Sequence, residues 1–232
     1  MKRNLFSLFF LTGIFFLCAC AYFPKKFQGI ITYDISYPGT DTASNFFITL
    51  PKRADFIANK NFLRMDVYNL DYTISVLFNR RKQLMTYLYK GFGDTCYAVR
   101  LSQADYLKFY NIIPEITVAN TGETKEIAGV ATQKAILTFS GKEKSFTEDI
   151  FFIPGYHNKA INALTIYAGI NKPLLHFRNH EGFLVSAYTA KKVELKKIED
   201  SFFEIPHDYK ITTKEEIFSI LEKYWQAKEN NF

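Results

Sequence analysis

The sequence predicts a mainly β protein with one antiparallel sheet, open or closed, and a minor helical part. Aromatic residues are abundant, with 24 Phe and 15 Tyr among 232 residues. Many of them fall in short runs in which apolar and polar residues alternate, the pattern of a strand with one buried face. Turn-forming residues separate these runs at intervals of roughly 8 to 12 residues, which is typical of an antiparallel meander.

The first predicted strand runs from Gln28 to Tyr37 and ends before Pro38 and Gly39. Its alternate positions are apolar, so one face is expected in the core. Similar patterns predict strands over 45–50, 53–58, 62–69, 73–78, 83–89, 95–101, 125–127, 132–139, 146–153, 174–178, 183–189 and 193–198. The segment 158–171 is compatible with either a helix or a strand.

Two helices have recognisable starts. Ser102 is positioned to cap a short helix through about Tyr110, which the proline at 114 prevents from continuing. Thr213 and Glu216 form a capping-box pattern that opens an amphipathic C-terminal helix. Its expected sheet-facing side chains are Ile217, Ile220, Leu221 and Tyr224.

The N-terminus predicts an exported lipoprotein. Lys2 and Arg3 precede an apolar run over 5–17, and Leu17-Cys18-Ala19-Cys20 follows as a lipobox. Cys20 is therefore the predicted lipidation site, and a covalent lipid there is the only cofactor expected. Two alternatives stay open: ordinary secretion with cleavage after Ala21, and an uncleaved anchor over about 5–23.

The predicted organisation has four parts: a signal peptide over 1–19, a lipidated tether over 20–26, a β domain over 27–212 and a helix over 213–232. The tether spans at most about 20 Å when extended, which holds the domain close to the membrane. Its membrane-proximal candidates are aromatic side chains at headgroup level and lysines that meet lipid phosphates. These residues are Tyr22, Phe23, Lys25 and Lys26.

Net charge and cysteine content limit the binding partners and the disulfides that can be expected. Loss of the leader lowers the net charge from +6 to +4, with 27 basic against 23 acidic residues. The charges are scattered, so no nucleic-acid partner is predicted. Cys96 is the only other cysteine of the processed chain, which excludes an intramolecular disulfide, and we expect it buried in its strand.

Three segments carry a resemblance to a known group: FQGIITY at 27–33, ETKEIAGVATQKA at 123–135 and DSFFEIPHDY at 200–209. They resemble the opening, middle and closing signatures of Gram-negative envelope lipoproteins of uncharacterised function, thought to share a LolA/LolB-like fold. The resemblance implies an antiparallel half-barrel closed by helices, whose concave face takes acyl chains. By analogy it also favours the outer membrane, with the domain facing the periplasm.

The best functional candidate is the apolar face of this curved sheet, which would suit a lipid tail or a hydrophobic peptide. The same side chains are equally expected to form a packed core. The candidate ligand-lining residues are Ile31, Tyr33, Ile35, Leu63, Met65, Val67, Leu137 and Phe139.

No catalytic constellation stands out, so the protein is predicted to be a non-enzyme. His176 and His180 have a spacing that suits a metal on a helix, but the surrounding pattern predicts strand, turn, strand, and we expect the rings to diverge. Asp34, Asp66 and Asp149 lie in predicted strands without a known partner. The leading hypothesis is a lipid-anchored binding or carrier protein. The alternatives are an assembly accessory for a membrane-protein partner and, less favoured, a hydrolase with a hidden site.

Overall fold

The computed structural model describes most of the chain after the predicted tether begins, and all structural statements below refer to these ranges. The described residues are 24–41, 45–110, 115–140, 145–181 and 184–229. Within them the chain forms fourteen strands, three α-helices and one 3-10 helix.

Most strands follow one another as neighbours in a large sheet. In chain order the strands are β1 (Lys25–Lys26), β2 (Gly29–Ser36), β3 (Arg53–Ala58), β4 (Phe62–Tyr68), β5 (Thr73–Asn79), β6 (Leu84–Lys90), β7 (Cys96–Leu101), β8 (Glu115–Ile127), β9 (Val130–Ser140), β10 (Ser145–Phe152), β11 (Tyr156–His157), β12 (Leu174–Glu181), β13 (Leu184–Leu195) and β14 (Tyr209–Thr212).

The large sheet is mainly antiparallel and open. Its twelve strands lie in the order β14-β7-β6-β5-β4-β3-β2-β13-β12-β10-β9-β8, and its end strands, β14 and β8, are not paired with each other within the described residues. β2 lies inside the sheet, between β3 and β13. The exception to the antiparallel pattern is β14, which runs parallel to β7. A separate two-stranded pair joins β1 to β11, also in parallel. The predicted mainly β class is confirmed.

The segment predicted as a strand over 45–50 is instead a short helix, α1 (Asn45–Thr49). The prediction was wrong because Phe47 and Leu50, three positions apart, are the side chains that pack inward, whereas Ile48 is 51% exposed. That spacing fits one face of a helix and not the two-residue period of a strand.

The other two helices begin where their caps predict. In α2 (Gln103–Tyr110), the Ser102 hydroxyl accepts the Asp105 N–H at 3.2 Å and donates to the Asp105 carboxylate at 2.6 Å. In α3 (Lys214–Glu229), the Glu216 N–H donates to the Thr213 hydroxyl at 3.1 Å. Both predicted starts are confirmed.

The inner face of the sheet, defined as the face that carries Ile31 and Tyr33, is packed. Tyr33 meets the rings of Phe56 and Phe177 with centroids 4.9 and 5.6 Å apart. Its hydroxyl donates to the Leu174 carbonyl at 2.7 Å. Because burial raises the pKa of Tyr33, the hydroxyl stays a neutral donor.

The segment 158–171 forms neither a helix nor a strand but a series of turns over this inner face. Ile161 and Tyr167 are fully buried, and the Tyr167 ring packs edge-to-face on Phe139 at 5.6 Å. Asn162, itself buried, donates from its amide to the backbone carbonyls of Ile170 and Lys172 at 2.7 and 2.9 Å. These bonds satisfy backbone groups that would otherwise be buried without partners.

The opposite, outer face is also partly covered. The 3-10 helix (Asp200–Phe203) and its flanks cross it, where Ile57, Ile198 and Phe203 form a small buried cluster. A second small cluster lies towards the β14 edge and contains Leu77, Leu88 and Ala98.

Candidate functional site

The predicted ligand-lining residues lie on the inner face of the sheet, in one packed cluster that also contains Ile161 and Tyr167. Six of them are buried and two, Met65 and Val67, are half-buried. The buried members are Ile31, Tyr33, Ile35, Leu63, Leu137 and Phe139. Burial of this kind is what a core requires, and a ligand-lining role for these residues stays a prediction.

An open apolar cleft lies at one end of the strands, beside α1. We call it the α1 cleft, and its volume is about 460 Å³. Its apolar lining is more exposed than the core, with Ile48 51% and Leu70 86% exposed. The lining residues are Phe47, Ile48, Leu50, Lys52, Arg53, Tyr68, Asn69 and Leu70.

Backbone carbonyls near α1 hold the cleft in place. The carbonyl of Thr49 accepts hydrogen bonds from the Asn69 amide and from the Tyr72 hydroxyl, the latter at 3.3 Å. The Tyr37 hydroxyl donates to the Pro51 carbonyl at 2.6 Å. Side chains of the β4–β5 turn, and Tyr37 directly after β2, therefore hold α1 and the residues that follow it in place.

The rim of the α1 cleft is basic. The Lys52 ammonium lies 3.1 Å from the Phe47 ring centroid and donates to the Phe47 carbonyl at 2.8 Å. Desolvation lowers the pKa of Lys52. Arg53 is neutralised by Asp55 at 2.7 Å, whereas no carboxylate of the described residues lies within 4 Å of the Lys52 ammonium.

The predicted membrane-proximal residues are only partly described. Cys20, Tyr22 and Phe23 lie outside the described residues. Lys25 and Lys26 form β1, are exposed, and pair with Tyr156 and His157 of β11. Lys26 also lines a second pocket, at the end of the strands opposite to the α1 cleft.

The carboxylates considered in the sequence are placed in ion pairs. Asp66 lies directly opposite Asp55 on β3, and both are buried. Arg53 donates to Asp55 at 2.7 Å, and Arg64 donates to Asp66 at 2.8 Å. The Tyr68 hydroxyl donates to Asp55 at 3.0 Å, and desolvation followed by the charge of Asp66 raises the Tyr68 pKa. The alternating sequence pattern did not identify Asp55 as the neighbour of Asp66, because that pairing depends on the register of β3 against β4.

The other two carboxylates face solvent. Asp34 lies 3.5 Å from the Lys191 ammonium, and Asp149 lies 2.8 Å from that of Lys134. Each is more than half exposed, as expected for charged positions on the outer side of a strand.

His176 and His180 are both on β12, so the prediction that His180 lies in the turn after this strand is wrong. They lie four residues apart on the same face of the strand. His180 Nε2 is 2.6 Å from the buried Glu148, and His176 Nδ1 is 2.9 Å from the Thr189 hydroxyl. Among the described residues, no group of three or more His, Cys, Asp or Glu is arranged to hold a metal ion.

Two further findings concern the thiol of Cys96 and the helices of the described residues. Cys96 is a half-buried free thiol in β7, less enclosed than expected. None of the helices in the described ranges is both long and apolar enough to cross a membrane.

Comparisons with known proteins give distant structural neighbours. No protein-family model and no curated protein matches the chain. Two structures of PNGF-II, from different crystal forms, are similar with TM-scores of 0.46 and sequence identities of 15% and 14%. The matches cover 85% and 86% of this chain but 34% and 33% of the PNGF-II chains. The chain thus spans about a third of the length of these neighbours.

Proposed function

We propose that this protein is a lipid-anchored, non-enzymatic envelope protein that binds the acyl chain of an anionic amphiphile in the α1 cleft. The observation that carries the proposal is an open apolar cleft with an ammonium at its rim that no described carboxylate neutralises. Apolar walls favour the tail, and the Lys52 charge favours an anionic head.

The size of the α1 cleft supports this ligand class. Pockets for small molecules measure about 300–1,000 Å³ and bury most of the ligand against apolar walls with a few polar groups. The cleft volume of about 460 Å³ falls in that range. The exposed Leu70 and Ile48 would gain from burial against a tail, at about 25 cal/mol per Å² of apolar surface.

The proposed anchor is a thioether lipid on Cys20, with the domain at the outer membrane facing the periplasm. The lipobox and the short tether support it. We further infer a LolA/LolB-like half-barrel, an inference supported by the open antiparallel sheet and by the turns and helices packed on its faces. The proposed ligand site, the α1 cleft, lies at the end of the strands and not on the packed inner face, where the half-barrel resemblance would place it.

Photo-crosslinking tests the ligand site. The full chain, reconstituted in phospholipid vesicles, would be irradiated with a fatty acid that carries a terminal diazirine, and adducts would be mapped by mass spectrometry. We expect adducts on the peptides that contain Ile48 and Leu70. L70D places a charge in the apolar lining and should reduce this labelling about tenfold or more.

L195D is the matched control, since Leu195 is 54% exposed and lies outside the α1 cleft. Its labelling should equal that of the wild type. Equal labelling of L70D and wild type, or adducts confined to other segments, would remove the α1 cleft as the ligand site.

The alternative function, an accessory that binds a membrane-protein partner, is favoured by one feature. β8 is a thirteen-residue end strand whose side chains are almost all exposed, with Val118 47% exposed. A free edge of this length is suited to pairing with a strand of another protein. A photoreactive residue at 118 in intact membranes would capture one specific protein if this function is correct, and none if it is not.

A further inference from the structure

A second pocket lies where β1 and β11 meet the ends of β3 and β5. We call it the tether pocket, because Lys26 is the last residue of the predicted tether. Its volume is about 210 Å³. Its lining residues are Lys26, Phe27, Lys60, Arg80, His157, Asn158 and Lys159.

The floor of the tether pocket is rigid. Phe27 and Asn158 are 1% and 5% exposed. The Asn158 amide donates to the carbonyls of Phe27 and Asn59, both at 2.9 Å. The Phe27 N–H donates to the His157 carbonyl at 2.9 Å. Three segments distant in sequence are therefore tied together below the pocket.

The walls carry four cationic side chains and no carboxylate. Lys26, Lys60 and Lys159 are exposed and Arg80 is half-buried. No ion pair within 4 Å joins any of these four to a carboxylate of the described residues. Like charges brought together repel, so this cluster gains stability from an anion between them.

Two polar nitrogens of the tether pocket are buried without a partner. Arg80 Nε and His157 Nδ1 make no hydrogen bond to the described residues. Leaving a buried polar group unsatisfied destabilises the fold, and more so when the group is charged. An anion in the tether pocket would offset the charge of the Arg80 guanidinium, which lines it.

We propose that the tether pocket binds a phosphate group. Guanidinium and ammonium groups are the usual partners of phosphate oxygens, and the tether pocket presents one guanidinium and three ammonium groups. The volume of about 210 Å³ is below that of typical pockets for whole small molecules and suits a headgroup-sized anion. The site is independent of the α1 cleft and of the proposed ligand there.

Calorimetry with inorganic phosphate tests the proposal. The full chain in a non-ionic detergent, at fixed ionic strength, should bind inorganic phosphate saturably with one site per chain. The K60Q/R80Q variant should bind about tenfold more weakly or worse, since it loses two of the charged partners of the phosphate oxygens. K159Q, at an exposed position, should weaken binding by a smaller factor without affecting folding.

The matched control is K82Q/K90Q, which removes the same charge from exposed lysines outside the tether pocket. It should bind phosphate as the wild type does. Equal weakening in both double variants would mean that only net charge matters, and that result would overturn the proposal.

A second arm identifies the source of the phosphate. Phosphatidylglycerol would be added to the micelles, with phosphatidylcholine at the same mole fraction as the reference. Competition with inorganic phosphate, lost in K60Q/R80Q, assigns the tether pocket to a lipid headgroup. Phosphate binding that phosphatidylglycerol does not affect assigns it to a free anion. Absence of saturable binding of both probes would refute the site.

Discussion

At the scale of single residues, buried amides hold together segments that are distant in the chain. Asn158 donates to the carbonyls of Phe27 and Asn59, and its own side-chain oxygen accepts the Ala160 N–H at 2.7 Å. All three bonds are buried, where an unsatisfied backbone group is costly. Asn158 therefore links the first core residue, the end of β3 and the turns over the inner face.

We predict that N158A lowers the free energy of unfolding by about 2–4 kcal/mol, because it leaves two carbonyls and one N–H buried without partners. Urea unfolding of the full chain measures this loss. N171A is the control, since Asn171 is exposed and the one contact shown for it uses its backbone carbonyl. A loss in N158A no larger than that in N171A would contradict the role of the Asn158 side chain.

The lowered pKa of His176 predicts that the free energy of unfolding depends on pH. Burial, and after it the charges of Arg178 and Lys125, lower the pKa of His176, while Asp149 and Glu148 oppose them. The unfolded chain, with an ordinary histidine pKa of about 6.5, therefore binds more protons at this position than the folded chain does. The free energy of unfolding should fall as the pH drops through about 6.5 towards the lower, folded-state pKa.

The H176N variant should lose less stability than the wild type between neutral and mildly acidic pH. H207N removes an exposed histidine and serves as the control for loss of one imidazole. If wild type and H176N show the same slope of stability against pH, His176 does not contribute as described. An NMR titration of the His176 ring gives the folded-state value directly.

The residues of the candidate sites show what sequence patterns reveal and what they do not. Alternation placed Ile31 and Leu137 on the inner face, because a two-residue period reports burial. It could not identify the tether pocket, whose residues come from four separate segments near 26, 60, 80 and 157. Their proximity depends on strand register and on the β1–β11 pair, and no local pattern encodes either.

At the scale of elements, β2 approaches β13 unusually closely at its first residue. Gly29 has a φ of +151°. A Cβ atom built there would lie 1.9 Å from the Glu194 carbonyl oxygen, a backbone atom of β13. Glycine is thus required where the two strands pair.

We predict that G29A destabilises the fold by about 3 kcal/mol or more, combining backbone strain and the clash with Glu194. G93A separates the two effects, because Gly93 also has a positive φ, +113°, but its Cβ would meet nothing within 4 Å. Thermal unfolding should show a clearly larger loss for G29A. Equal losses would mean that the close approach to β13 is not important.

The predicted N-cap of α3, Thr213, can be tested by mutation. Removing the Thr213 hydroxyl in T213A leaves the Glu216 N–H without its 3.1 Å acceptor and should cost about 1 kcal/mol. T213S keeps the hydroxyl and should behave as the wild type in urea unfolding. A T213A variant as stable as T213S would show that the cap contributes nothing.

Helix caps were predictable because they depend on residues within one turn of each other. α1 was not, because its short apolar run fits a strand equally well. Its helical form depends on tertiary partners, among them Asn69 and Tyr72, which bind the Thr49 carbonyl from the β4–β5 turn. Tertiary contacts override local preference in segments this short.

At the scale of the whole molecule, the two candidate sites lie at opposite ends of the strands. Arg53 opens β3 beside the α1 cleft, and Lys60 follows the end of the same strand in the tether pocket. Seven residues of strand span about 23 Å. An anchor at Cys20 would therefore place the basic end near the bilayer and the apolar cleft away from it.

Fluorescent labels at the two ends test this orientation. In a C96S background, K60C and L70C would each be labelled on the vesicle-anchored protein, and quenching by lipids that carry a nitroxide headgroup would be measured. We expect strong quenching at 60 and weak quenching at 70, because the second label is farther from the surface by most of a strand length. The reverse order would contradict the orientation.

Membrane attachment, orientation at the bilayer and access to amphiphiles all depend on the proposed lipid anchor at Cys20. Intact-mass measurement of the native protein extracted from membranes tests it most directly. We expect a chain that begins at Cys20 and carries the mass of its acyl groups. A chain that begins at Tyr22 without acyl groups, or one that retains residues 1–19, would contradict it.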